Sequence, residues 1–392
     1  MTLDKRAGQR FLPYGANYLD WSDMAELREV IDHRVLFRYQ TEQESMASRL
    51  ERTAAERLGA RHALAVHNGT EALRLCLIST RPSVGDLVHI PAVTFVAVAG
   101  AVLSCGLIPV LVDVDESLAL DTGLLPPDAR RVITAHMEGT VAPVPAHVPY
   151  LIEDCAQSLG ARFPDGRQVG TAGYAGTFSF HHNKVLTSGE GGLVVTGDPA
   201  AWARMRCYHD HGSARVPGSY PTWNEDAHFG ENLVTSEGVA AVQCQQFRHL
   251  DEVLAGLERM YALAVDRLPD RPDLSVLPRS AGDAKVSVRM RWESRELRDA
   301  AVAALTARGI ANWTLNKYLL PEHPVLTGRR SPYADGFPWS HAPAGPLALS
   351  TDGFARTRDL LDRTLCVPLS PELPEPAQIE AAKAVQQALE TV

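Results

Sequence analysis

No apolar run in this 392-residue chain approaches the roughly 20 residues that span a bilayer, so no transmembrane helix is expected. The opening segment MTLDKRAGQRFLPYGANYLD carries no apolar stretch behind its basic residues. No secretory signal is therefore expected, and the cytoplasm is the expected compartment. Cysteine is sparse. The six residues Cys76, Cys105, Cys155, Cys207, Cys244 and Cys366 are scattered, with no C-x-x-C pair. That spacing argues against a zinc site or a disulfide framework and predicts reduced, buried small hydrophobes. An excess of positive charge is missing too. The balance is 38 basic against 47 acidic residues, net −9, which disfavours nucleic acid or an anionic membrane as the main partner. No internal repeat and no low-complexity tract is present.

What the chain does have is alternation. Residues 44–62 place apolar side chains at helical spacing and close on Gly59. Ala63–His67 reads as a buried strand, His67-Asn68-Gly69-Thr70 as a turn, and Glu71–Ile78 as a second helix. Strand-like runs then recur at Leu87–Ile90, Pro109–Val114, Arg131–Ala135, Tyr150–Ile152, Thr177–Phe180 and Gly192–Thr196, with a helical stretch at Phe95–Cys105. Strands alternating with helices predict an α/β three-layer sandwich, a mostly parallel central sheet covered on both faces. One continuous helix is expected from Ser236 to about Leu268, ended by Pro269 and Pro272. Beyond it, Lys285–Trp292 alternates as a half-exposed strand, Arg298–Arg308 is helical, and Gln378–Leu389 forms a last amphipathic helix. The expected division is 1–250, a large unit whose first 30 or so residues can pack on the small one, and 251–392, a linking helix with a smaller α+β C-terminal domain.

Three segments carry chemistry. Asn68-Gly69-Thr70 lies between strand and helix, where outward N–H groups and the helix dipole suit a phosphate; ordinary helix capping accounts for Asn and Thr there equally well. Leu151-Ile152-Glu153-Asp154-Cys155-Ala156-Gln157 puts acids at the end of a buried strand, where α/β sheets bind ligands, although a strand-end Asp also caps helices. Phe178-Ser179-Phe180-His181-His182-Asn183-Lys184, followed by Thr187-Ser188-Gly189-Glu190-Gly191-Gly192, sets a lysine between an apolar strand and a glycine-rich turn. A partly desolvated lysine forms Schiff bases, while the default for a loop lysine is the surface. His181 and His182 have no accompanying carboxylate–histidine pattern, so no metal is expected.

Taken together, HNGTEAL (67–73), PAVTFVAVAGAVLSCGLIPVLVDVD (91–115), IEDCAQSLGA (152–161) and VGTAGYAGTFSFHHNKVLTSGEGGLVVTGD (169–198) resemble the DegT/DnrJ/EryC1/StrS sugar aminotransferases, fold-type I enzymes of pyridoxal 5'-phosphate (PLP). The likeness continues through GENLVTSEGVAAVQCQQ (230–246), KYLLPEHP (317–324) and CVPLSP (366–371). The resemblance implies that Lys184 binds PLP as a Schiff base and shuttles the proton, and that Asp154 pairs with the pyridine nitrogen. It further implies that Gln157 meets the ring hydroxyl and Phe95 stacks on the ring. Gly69, Thr70 and Ser179 would hold the phosphate. Asn232 would reach the phosphate of the partner subunit in a homodimer with a shared site. His136 and Gly139 match an H-x-x-G turn near the substrate, with His136 a catalytic candidate, and Glu190 would order the loop after Lys184.

Departures from the family pattern fall at Asn68, where Ser is usual, and at Leu233 and Val234, where an aromatic and a basic residue are usual. The basic residue could help hold the carboxylate of the amino donor. The residues after His136, MEGTVAP, fit only loosely. The implied reaction moves an amino group from an amino acid, glutamate or glutamine by default, to a keto sugar or keto cyclitol in sugar or secondary-metabolite biosynthesis, with antibiotic biosynthesis a natural setting. Two other readings stand beside it: a PLP-dependent dehydratase, disfavoured because that branch typically has histidine in place of the lysine, and a non-catalytic PLP-binding regulator. Acceptor specificity is expected in loops 209–231 and 312–345, whose His211, Tyr220, Trp223, Trp313 and Lys317 could line a sugar-sized pocket or pack beneath the loops.

Overall fold

The computed structural model of the protein describes residues 18–19, 24–41, 43–213, 222–223, 228–343 and 351–392. Seven five-residue strands form the first sheet: β1 His62–Val66, β2 Leu87–Pro91, β3 Ile108–Val112, β4 Arg131–Ala135, β5 Tyr150–Asp154, β6 Ala175–Ser179 and β7 Gly192–Thr196. Their spatial order is β1-β7-β6-β5-β4-β2-β3. Strands β2 to β6 run parallel, and β7 runs antiparallel to both β6 and β1. The reversal follows from the link between β6 and β7. It is a loop, residues 180–191, without a helix, and only an antiparallel pair closes readily through such a link. This is the loop that carries Lys184.

Period-2 alternation faces the sheet into two cores. Ala63, Ala65, Leu193 and Val195 point to one, and Leu64, Val66 and Val194 to the other. The first face is covered by α2 (Met46–Leu58) and the second by α3 (Gly69–Ser79), α4 (Val96–Ser104) and α5 (Pro199–His209). Helix α1 (Ala25–His33) packs outside α2, against α6 (Glu237–Arg248). Helix α2 starts where Ser45 Oγ accepts the Ser48 N–H at 3.1 Å, and it stops at Gly59, φ +69°.

The helix expected to run unbroken from Ser236 is two helices, α6 and α7 (Leu250–Asp266), parted at His249. The His249 N–H bonds three residues back to Gln246 O, while its own carbonyl starts α7 by accepting from Val253. Two apolar faces with different targets explain the break. Helix α6 packs on α1 and α2, and α7 packs on the second sheet and the last helix.

The second sheet is antiparallel, ordered β10-β11-β9-β8, from β8 (Leu274–Val276), β9 (Ser287–Trp292), β10 (Trp313–Thr314) and β11 (Thr364–Pro368). It is backed by α7 and α8 (Arg295–Ala307), on both of which α11 (Glu375–Leu389) packs; the short α9 (Pro324–Thr327) and α10 (Ala355–Asp362) precede β11 in the chain. Met290, Trp292, Leu365 and Val367 share one core with Phe178 and Val195 of the first sheet. A backbone seam also joins the two units: Thr94 N–H donates to Tyr318 O at 3.1 Å, and Leu320 N–H to Ala92 O at 2.9 Å. That seam places the 315–320 segment against the start of α4.

Phe178 is fully buried in the shared core. Phe178→Ala is expected to cost about 3–5 kcal/mol, and the cap variant Ser45→Ala about 1 kcal/mol. Urea unfolding of both variants checks this ordering, and equal midpoints would contradict it.

Candidate active site

The C-terminal ends of the parallel strands open onto a cavity of about 1650 Å³, where open α/β sheets place ligands. Gly69, Thr70, Phe95, His136, Asp154, Gln157, Ser179, Lys184 and Glu190 all line it. Five separate chain segments thus supply the residues singled out from sequence.

Helix α3 provides one wall. Asn68 caps it, its Oδ1 accepting the Glu71 N–H at 2.9 Å. Asn does this work as well as Ser, which accounts for the departure at this position. A Cβ on Gly69 would sit 3.0 Å from Ser179 Cβ, so the glycine lets the helix start approach β6 closely. The first-turn N–H groups of α3 face the cavity beside the two hydroxyls of Thr70 and Ser179. Phe95 stands at the N-terminus of α4 with its side chain 54% exposed, an apolar face open to the cavity. Its ring meets Tyr318 edge-on, with centroids 6.4 Å apart.

Asp154 ends β5 at 9% exposure. One carboxylate oxygen accepts the Ala156 N–H at 3.1 Å; the other takes no donor among the described residues. Burial raises its pKa, opposed by the Ala156 N–H and by the charge of Lys184. The Lys184 side chain is half-buried and makes no hydrogen bond or ion pair among the described residues. Burial lowers its pKa, against the pull of Asp154 and Glu138. An acid and an amine therefore face one cavity, each short of a partner.

Glu153, the residue before Asp154, points to the opposite side of β5 and is fully buried. Its carboxylate meets His136 Nε2 at 3.1 Å and accepts the N–H groups of Gly170, Ala172 and Gly173 at 2.7–2.8 Å. His136 Nδ1 accepts the Ala142 N–H at 2.9 Å, so the ring proton must lie on Nε2 and be given to Glu153. Both nitrogens are occupied. His136, a catalytic candidate on sequence grounds, is placed to fix the turn after β4 and the end of β5, not to exchange protons with a substrate. His136, Glu153 and Cys155 have donor atoms within 4.8 Å of one another, yet the histidine keeps no free lone pair for a metal.

Among the cavity residues not picked out from sequence are two with ionisable side chains beside Lys184 and Phe95, Glu138 and Tyr318. Glu138 sits inside the H-x-x-G turn, whose ends alone were read. Tyr318 follows Lys317 in the KYLLPEHP stretch, and only the seam with Ala92 and Thr94 shows where it goes. Gly139 lies behind the wall with φ +76°, where a Cβ would overlap Ala284 O at 1.7 Å. Asn232 is exposed and does not line this chain's cavity. Leu233 is buried in the core of α3 to α5. Val234 lines the cavity and pairs its backbone with Val66 in a β-bridge, with an apolar side chain where a basic residue is usual. Trp313 and Lys317 line the cavity, whereas His211 and Trp223 do not; Tyr220 lies outside the described residues.

The match to the DegT/DnrJ/EryC1/StrS aminotransferase family runs over residues 18–345. The chain belongs to that family. It is 38% identical over 228 residues to an L-glutamine:2-deoxy-scyllo-inosose aminotransferase of Streptoalloteichus tenebrarius, a match covering 53% of each chain. The matched stretch thus spans about half of that relative. Against a dTDP-3-amino-3,4,6-trideoxy-alpha-D-glucose transaminase of Streptomyces venezuelae, identity is 32% over 346 residues, 84% of each chain. The solved structure of 3-amino-5-hydroxybenzoic acid synthase superposes with a TM-score of 0.79 over 95% of this chain and 97% of that one, at 24% identity. The fold is that of fold-type I PLP aminotransferases.

In this family member, Glu153 yields a stability prediction. Burial pushes its pKa up, but the hydrogen bond from His136 and the Gly170 and Gly173 N–H groups outweigh burial and hold it below the usual glutamate range. A depressed carboxylate stabilises the fold above its unfolded pKa, and that contribution is lost as pH falls through the lower folded value. Glu153→Gln should lower stability at neutral pH by about 1–3 kcal/mol, the scale of leaving buried hydrogen-bond donors unsatisfied, and flatten the acid limb of a Tm-versus-pH curve. A variant with an unchanged acid limb would refute the assignment.

Proposed function

We propose that the protein is a PLP-dependent aminotransferase that moves an amino group from an amino acid, glutamine or glutamate, to the ketone of a sugar or cyclitol. The observation that carries this reading is the pairing of two unsatisfied groups in one cavity. Asp154 has a nearly buried carboxylate oxygen without a donor, and Lys184 has an amine without an acceptor, below the open N-terminus of α3. That donor set fits PLP. Asp154 would meet a protonated ring nitrogen, Gln157 the ring oxygen and Phe95 a ring face. The N–H groups at the start of α3, with Thr70 and Ser179, would receive the phosphate. When bound, PLP supplies an electron sink for charge at the carbon that bears the nitrogen.

The chain's own residues do the rest. Asp154 stays ionised opposite a cationic ring nitrogen, because the pairing offsets the burial that otherwise raises its pKa. Lys184 would hold the cofactor by its amine and, when that amine is free, would hold and move a proton beside the reacting carbon. Burial lowers the pKa of Lys184, which favours the free amine such a shuttle needs. The sugar and cyclitol aminotransferases among the relatives support an acceptor of the keto sugar or cyclitol class. The exposed position of Asn232 supports a homodimer in which that residue serves the partner's site. A cytoplasmic setting accords with the lack of any described helix long and apolar enough to cross a membrane.

Purified protein supplied with PLP should show a near-visible absorption band that Lys184→Ala abolishes. L-glutamine or L-glutamate should bleach the wild-type band, and a keto cyclitol or keto sugar should restore it. A band that survives in Lys184→Ala would refute the reading. Asp154→Asn should keep the fold and lower turnover by at least about 10²-fold, in line with loss of a principal electrostatic group.

A further inference from the structure

Glu138 is a buried carboxylate that the proposed reaction leaves without a task. It is 5% exposed and lines the cavity with Lys184. Its backbone is left-handed, φ +52°, a conformation that non-glycine residues adopt at a cost and that persists only where the surroundings impose it. They do so here. The Glu138 N–H donates to Gln157 Oε1 at 2.8 Å, and its carbonyl accepts from Arg279 Nη1 at 2.6 Å. Ser287 Oγ donates to its Oε2 at 2.9 Å. The other carboxylate oxygen has no protein donor among the described residues. Contacts from both sheets thus aim one acid into the cavity.

We propose that Glu138 is the positioning residue for the amine of Lys184 in the state where that amine is released from the cofactor. This rests on the PLP reading. Asp154 and Glu138 are the two carboxylates whose charge acts on Lys184, but Asp154 is committed to the ring nitrogen once the cofactor is bound. Glu138 remains. Its free oxygen accepts from the lysine ammonium and holds it over the reacting carbon, so Glu138 acts by a hydrogen bond and not by proton transfer. Its position is backed by positive charge: Arg289 is fully buried behind it with Nε and Nη2 unpartnered among the described residues, and Arg279 flanks it. Asp283, Lys317, Tyr318 and Cys366 are further titratable groups on the second-sheet side. The remaining ones that line the cavity are His67, Glu71, His136, His181, His182 and Glu190.

The test separates this role from the cofactor reading. Apo-protein is saturated with pyridoxine 5'-phosphate, which fills the site without binding the lysine covalently. Modification of Lys184 by acetic anhydride is followed by mass spectrometry across pH, with Lys383 as internal control. Glu138→Gln removes the charge at equal size, and Glu138→Asn suits the left-handed backbone, so at least one should fold. A carboxylate raises the pKa of a neighbouring ammonium, and its loss lowers it. Lys184 should therefore be labelled about tenfold faster at a given pH below its midpoint in both variants, about one pKa unit. The donor half-reaction with L-glutamine should move its pH optimum to lower pH. A Lys184 labelling profile within about twofold of wild type, in variants that still melt cooperatively, overturns the inference. A change confined to the KM of the keto acceptor overturns it also, and makes Glu138 a substrate contact. Failure of the wild type to form the near-visible band with PLP counts against the cofactor reading instead.

Discussion

The floor of the cavity is organised by the carboxylate of Glu153, which solvent does not reach. Left alone, such a charge would be costly enough to protonate. Four donors surround it instead, the His136 ring and three backbone N–H groups of the 170–173 turn. Each of those bonds fixes something else. The His136 bond sets the tautomer of the ring and, through Ala142, the path of the chain after β4. The turn bonds hold the approach to β6, where Ser179 and then Lys184 follow. Because successive residues of a strand face opposite sides, anchoring Glu153 on one side of β5 fixes the direction of Asp154 on the other.

The loop between β6 and β7 is the second constraint. Strand β7 runs against β6, so the chain must turn back at the rim of the sheet and not cross over a face. Lys184 is carried at that rim, across from the start of α3. A helical crossover there would have taken the lysine away from Asp154. Burial then acts in opposite senses on the two groups: it favours the neutral acid and the neutral amine, and each is a preparation for a charged or covalent partner.

The second sheet contributes more than a lid. Arg279 and Ser287 reach across to hold Glu138 in its left-handed turn, and Tyr318 is delivered to Phe95 by the backbone seam at Ala92 and Thr94. Neither contact is local in the chain; Glu138 and Ser287 are 149 residues apart. A spacing argument has no access to such pairs, and this is why Glu138 and Tyr318 were not foreseen. Val234 is explained in the same way. Its backbone bridges to Val66 of β1 and its carbonyl meets His67 Nε2 at 2.9 Å, pairings distant in the chain that seat it at the cavity.

The sequence by itself determined the strand–helix alternation, the capped turn at Asn68, the acid at the end of β5 and the lysine in the glycine-rich loop, because each is written in nearest-neighbour patterning. It also carried the family. Tertiary structure alone decided that His136 is a buried brace, that the helix after Ser236 breaks at His249, and that Glu138 joins Lys184 in the cavity. Those outcomes depend on which groups are desolvated together and which donors meet which acceptors across the two sheets. Such facts exist only once the chain has closed on itself.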